Sequence, residues 1–350
     1  MKFSADAMAT GIGSLPHTDS REASELVLEM FPAIPYWPQL PKRSYLENMY
    51  IQYCEHMAGA TLAEEGIYIQ SAGPAFMTEL EQFYESFMTE ALAPFAISKE
   101  RAEGLYSFMA YEQKIKQAKA IKGQITGPIS FGLQVTDQDK RSILYDENLK
   151  DVLIKQLLRK AQWQIDIISR IHPCPIMFMD EPYLSSFGSA YINISREEVI
   201  SSFEQILSDV NAITGIHCCG RTDWSLILET SVNILSFDAY NFMDSLFLYK
   251  DQLVQFLARG GIIAWGIVPT SLEDFDKEDC DSLIERLNSA FKKIENCGFD
   301  MPYILAHSLI TPSCGLSTLS IQAAVSMLKL TSEISSHIRR QYGLEKEDYD

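Results

Sequence analysis

The chain has 350 residues, with 29 lysines and arginines against 47 aspartates and glutamates, for a formal charge of −18 at neutral pH. An acid excess of this size excludes a phosphate-neutralising surface, so neither nucleic acid nor an anionic membrane is expected as a partner. Hydrophobic residues at 47% and charged residues at 22% supply the apolar material for a sizeable core, while no run reaches the roughly 20 apolar residues that span a bilayer.

The opening Met1-Lys2-Phe3-Ser4-Ala5-Asp6 has no basic stretch leading into a long apolar segment, so no secretory signal is read and a cytoplasmic location is expected. Short apolar runs bounded by turn residues then recur at about 9–15, 34–40, 120–127, 175–181, 213–219, 233–239, 261–268 and 303–310. Between most of them the spacing predicts helices over Asp19–Met30, Ser98–Ala120, Asn148–Ile171, Ser195–Ala212, Asp244–Ala258, Cys280–Asn296 and Ser317–Ile338. Strands alternating with helices imply parallel pairing through crossover connections. Eight such units predict an α/β fold of the (β/α)8 TIM-barrel type, a single domain over residues 1–350. The stretch 41–119 is too long for one crossover, so an elaboration with more than one helix is expected between strands 2 and 3, covering part of the barrel mouth.

In a barrel, reactive side chains belong at the C-terminal ends of strands and in the loops that follow. The unusual residues fall there: Gly11 to His17 after the first run, Thr126-Gly127-Pro128 after the third, Asp180-Glu181-Pro182 after the fourth, His217-Cys218-Cys219-Gly220 after the fifth, Asp238 after the sixth and Pro312 to Gly315 after the eighth. Residues two apart on an extended segment project to one side, so His217 and Cys219 converge, and both are zinc ligands by type. Cys218, turned the other way, is read as an inert core thiol. The glycine after Cys219 is read as room for an ion. Cys314 can supply a third ligand across the mouth, and Asp238 a fourth, unless that position stays open for substrate. Of Asp180 and Glu181, one should face the barrel axis, where a carboxylate holds a substrate ammonium or does acid/base work. For Glu181 a pairing with a basic side chain on an outer helix stands as an equal alternative. His56, His172 and His337 read as surface or helix-end residues, and His307 as an interior strand residue.

Taken in order, Ile12-Gly13-Ser14-Leu15-Pro16, Thr126-Gly127-Pro128, Asp180-Glu181-Pro182, His217-x-Cys219 and Cys314-Gly315-Leu316 resemble the motifs of the catalytic C-terminal barrel of cobalamin-independent methionine synthase. The superfamily also holds uroporphyrinogen decarboxylase and the zinc-dependent methylcobamide:coenzyme M methyltransferases. The resemblance covers about residues 9–320. It implies a zinc-dependent S-methyltransferase that moves a methyl group from methyltetrahydrofolate or a methyl-corrinoid to the thiol of homocysteine or another small thiol. The zinc residues carry over onto His217, Cys219 and Cys314, and the acceptor-holding residues onto Ile12, Ser14 and, for the amino group, Asp180. Glu47 is matched to a further substrate-binding carboxylate.

Three departures stand out. Asp238 occupies the place of a glutamate ligand. Gly266-Ile267-Val268-Pro269-Thr270-Ser271 lacks the histidine of the family's Asp-Ile-His-Ser segment, and 350 residues leave no room for the N-terminal barrel of the long synthases. A methylated corrinoid such as methylcobalamin, delivered by a corrinoid protein, is therefore a candidate donor. A decarboxylase acting on a tetrapyrrole would need an arginine-rich cleft, for which Arg43 and Arg21 are the few candidates. A non-catalytic corrinoid- or thiol-binding relative is the remaining alternative.

Overall fold

The computed structural model describes residues 3–64, 66–190 and 192–344. Nine strands are assigned among them: β1 (Ala60–Ala63), β2 (Gly66–Ile69), β3 (Ile121–Thr126), β4 (Thr136–Asp137), β5 (Pro175–Asp180), β6 (Ile213–Cys218), β7 (Ile234–Phe237), β8 (Ile262–Val268) and β9 (Ser308–Pro312). Six of these form one parallel sheet in the order β3-β5-β6-β7-β8-β9. Successive strands of this sheet are neighbours joined through helices, the crossover connection that parallel pairing requires.

The runs at 9–15 and 34–40 contribute single parallel bridges instead of strands: Ala9 to Ile310 on β9, Ser14 to Gln39, and Tyr36 to Lys122 on β3. The sheet is curled. Ile176, Phe178, Ile234, Ile262, Ala264 and Leu309, drawn from β5, β7, β8 and β9, pack with Met8, Ile34 and Ala120 into a small cluster separate from the large core between sheet and helices. Only alternate residues of each strand enter this inner cluster, which is the period-two signature of a pleated wall around an interior. Gly215 is needed in that wall, because a Cβ there would lie 2.3 Å from the Phe178 ring.

Helix starts follow their capping chemistry. Asp19 caps Ser20–Met30, Asp146 caps Glu147–Ser169, and Ser195 with Glu198 forms a reciprocal capping box on Arg196–Leu207. Three expectations are corrected. The helix read over Ser98–Ala120 is two short ones, Glu103–Met109 and Glu112–Ile115. The last apolar run opens as a helix, Met301–Ala306, because Asp300 caps it and Pro302 stands in its first turn; the strand begins only at Ser308. His307 therefore ends a helix, half-buried and stacked on Tyr303. His172 is buried, with Nε2 at 2.9 Å from the Ala118 carbonyl oxygen.

The segment 41–119 holds a hairpin of β1 and β2, the helix Pro74–Met88 and the two short helices. It reaches the strand ends. Thr126 Oγ1 donates to the Met49 carbonyl at 2.6 Å, and Tyr53 donates to the Gln124 carbonyl at 2.6 Å.

Candidate metal and thiol site

Interior-facing positions change from apolar to polar toward the C-terminal ends of the strands. β5 runs Ile176, Phe178, Asp180, and β3 ends at Thr126, which pairs with Asp180. Asp180 pairs in turn with His217 on β6, and His217 with Ser236 on β7. The register thus sets a carboxylate, an imidazole and a hydroxyl side by side at one level.

His217, Cys219 and Cys314 come together here, with one nitrogen and two sulfurs all within 4.8 Å of one another. His217 is buried and both cysteines are half-buried. The imidazole Nε2 is buried with no hydrogen-bond partner, while Nδ1 lies 2.9 Å from Ser236 Oγ. Hydrogen bonding from Cys314 and the nearby imidazole hold Cys219 far below the usual thiol range, and the same contact together with burial pushes Cys314 up. An imidazole nitrogen and two sulfurs at this spacing suit a divalent ion of borderline softness. Bonds of about 2.0–2.3 Å at tetrahedral angles put ligand atoms roughly 3.3–3.8 Å apart, within a small closure of what is seen.

Asp238 stands at the start of a helix. Its side chain caps the helix Ala239–Leu246, accepting from the Asn241 backbone N–H at 2.9 Å and the Asn241 Nδ2 at 2.7 Å. It lies outside the three-residue cluster because both carboxylate oxygens are held by the first turn of its own helix.

Asp180 does face the interior. It is buried, its Oδ1 has no hydrogen-bond partner, and burial raises its pKa against the opposing pull of Lys122 and His217. Glu181 turns away, but to the start of a helix and not to a basic side chain. It accepts from the Ile129 and Ser130 backbone N–H groups at 2.9 and 2.8 Å and from Ser130 Oγ at 2.6 Å. Gly127 makes that approach possible, since a Cβ there would lie 2.1 Å from Glu181 Oε1. Burial still pushes Glu181 up to about 7.

Ser14 lies against Gly315, where a Cβ would lie 2.3 Å from Ser14 Oγ; the Leu316 N–H donates to the Ser14 carbonyl at 2.9 Å. Glycine after each cysteine thus makes room for a neighbouring serine, since Gly220 likewise admits Ser185. Ile12 is buried and its carbonyl oxygen accepts from the Lys122 ammonium. Glu47 is buried and paired with Arg43, with its other oxygen accepting from the Leu40 N–H at 3.2 Å. That pairing makes it a brace for the 40–47 segment.

Two neighbours of the site went unread in the sequence. Lys122 on β3 is fully buried, with no carboxylate within ion-pair distance among the described residues; its Nζ lies 4.6 Å from the Phe178 ring centroid, and burial pushes it down to about 8. A lysine inside an otherwise apolar strand run was the available signal. Tyr50, in the elaboration, packs edge-on to Phe131 at 6.2 Å, and its hydroxyl is pushed up by burial and by Tyr183, Glu181 and Cys219. No pattern in the sequence brings residue 50 to residue 219.

The fold and the site define an α/β protein with a curled parallel sheet, with an imidazole and two thiols gathered at its strand ends. No family model matches the chain. A methionine synthase of Methanocaldococcus jannaschii is 24% identical over 228 residues, covering 65% of this chain and 68% of that protein. Among solved structures, a B12-independent methionine synthase from a Shewanella species, in complex with selenomethionine, matches 97% of this chain and 99% of its own at a TM-score of 0.61 and 15% identity. A methyltransferase from Methanosarcina mazei matches 97% of this chain and 100% of its own at a TM-score of 0.56 and 10% identity. The resemblance to the methionine synthases read from the five motifs is borne out. No helix among the described residues is long and apolar enough to cross a membrane.

Proposed function

We propose that the chain is a zinc-dependent S-methyltransferase that methylates homocysteine or a closely similar amino-acid thiol, on a closed (β/α)8 barrel in which the bridged segments 9–15 and 34–40 stand for the first two strands. The observation that carries this reading is the convergence of His217 with Cys219 and Cys314, two strand-end cysteines 95 positions apart in sequence. The names of the relatives supply the reaction class.

His217, Cys219 and Cys314 would hold the ion. When bound, zinc lowers the pKa of the acceptor thiol and keeps it a thiolate at neutral pH. Asp180, with an unpartnered oxygen, takes the acceptor's ammonium in a charge-assisted bond. Ser14 and the turn around it meet the acceptor carboxylate, and Lys122, by holding the Ile12 carbonyl, orients that turn. Orientation of the thiolate along the line of methyl transfer is the main contribution these groups make to rate. The decarboxylase alternative finds no support, because Arg43 is taken up by Glu47 and the Glu100 carbonyl.

Two donors have a specific observation each. A structural neighbour described as B12-independent favours methyltetrahydrofolate without a corrinoid protein. The absence of a histidine between Gly266 and Ser271 favours a methyl-corrinoid. Turnover of homocysteine to methionine by zinc-loaded protein, with methyltetrahydrofolate and methylcobalamin in parallel, tests the reading. Methionine from either supports it and names the donor. Bound zinc with no methionine from either points to the non-catalytic relative.

A further inference from the structure

We propose that Ser236 is a positioning residue that selects which ring nitrogen of His217 is offered to the metal, an inference that rests on the zinc reading above. His217 and Ser236 are direct register partners on the adjacent strands β6 and β7. Ser236 Oγ lies 2.9 Å from Nδ1, and the two residues are 0% and 3% exposed, so bulk water does not compete for this contact. On the far side of the ring Nε2 is buried and unpartnered, and His217 is the imidazole member of the three-residue cluster.

A neutral imidazole carries one N–H, so a donor on one nitrogen makes the other an acceptor. With Nδ1–H donating to Ser236 Oγ, the Nε2 lone pair is free for a cation. With the proton on Nε2, the ring presents a hydrogen to the place the cation must take. The serine oxygen can accept the Nδ1–H that the ligating form requires, and by holding Nδ1 it aims Nε2 at the two sulfurs. Because β6 and β7 are held by four consecutive register pairs, from Gly215 with Ile234 to Cys218 with Phe237, the hydroxyl also fixes the plane of the ring. Histidine ligands commonly pass their other N–H to a carboxylate or a backbone carbonyl. A neutral hydroxyl in that place orients the ring without adding negative charge beside two sulfurs that already bring it.

The test is a zinc titration against a competing chelator, using full-length wild type, Ser236→Ala and Ser236→Thr. Wild type is expected to take up one equivalent of zinc. Ser236→Ala should bind about 10–100-fold more weakly, and Ser236→Thr, which keeps a hydroxyl, should recover most of the loss. In zinc-loaded wild type, long-range 15N–1H correlation of the histidine side chains, assigned with His217→Gln, should place the His217 proton on Nδ1. Equal affinity of wild type and Ser236→Ala, or a wild-type proton on Nε2, overturns the role given to Ser236 while leaving the zinc reading intact. A wild type that binds no zinc overturns both.

Discussion

Lys122 is the residue whose environment departs furthest from ordinary. A buried ammonium held by a carbonyl, an amide oxygen and an aromatic face is costly to fold around, and a charge of this kind is retained where a site needs it. Lys122→Met should therefore match or exceed wild type in stability, by up to roughly 1–3 kcal/mol in chemical denaturation, while raising the KM for an amino-acid thiol more than it lowers kcat. The stability gap is expected to depend on pH. The folded-state pKa is pushed down to about 8 from 10.5, so the folded state bears the cost of the charge below about 8 and loses it as both states become neutral on rising toward 10.5. Denaturation of both proteins between pH 7 and 10 checks this: the advantage of the variant should shrink as pH rises. A lone lysine in a strand run was visible in the sequence, but its meaning depends on Phe178, Tyr36 and Ile12, three residues from three separate segments.

At the level of elements, the strand ends placed the chemistry and the helix starts diverted part of it. His217 and Cys219 were legible because a two-residue spacing on an extended segment has one geometric outcome. Asp238 is engaged by its own helix because the same position that ends a strand also begins a helix, and a carboxylate there is a capping group. Asp238→Ala should cost about 1 kcal/mol of stability through loss of the cap, with zinc stoichiometry unchanged by metal analysis; a zinc-free variant would restore Asp238 as a ligand. Glu181 shows the same competition, since three donors at the start of Pro128–Gln134 take the carboxylate that a basic side chain was expected to hold. Gly127→Ala drives a Cβ into that carboxylate. It should lower stability in chemical denaturation by the roughly 1–3 kcal/mol that overpacking costs.

Across the whole molecule, the alternation of apolar runs and helical periods conveyed a parallel α/β architecture, because burial on both faces leaves few other arrangements for such a pattern. The two N-terminal runs fell short of full strands, each closing onto its neighbour by a single bridge. The hairpin and short helices of 41–119 were not legible, since what fixes them is contact with the strand ends at Thr126 and Gln124, not any local period. That elaboration also delivers Tyr50 toward the thiols. Tyr50→Phe should leave zinc content and fold intact and change turnover of homocysteine, measured under saturating donor.

The account depends on the ion being held by sulfur from two distant segments. X-ray absorption at the zinc edge of the loaded protein tests this directly: it should show two sulfur scatterers at about 2.3 Å with nitrogen or oxygen at about 2.0–2.1 Å, falling to one sulfur in Cys314→Ser. A spectrum with no sulfur, or one unchanged by Cys314→Ser, would contradict it.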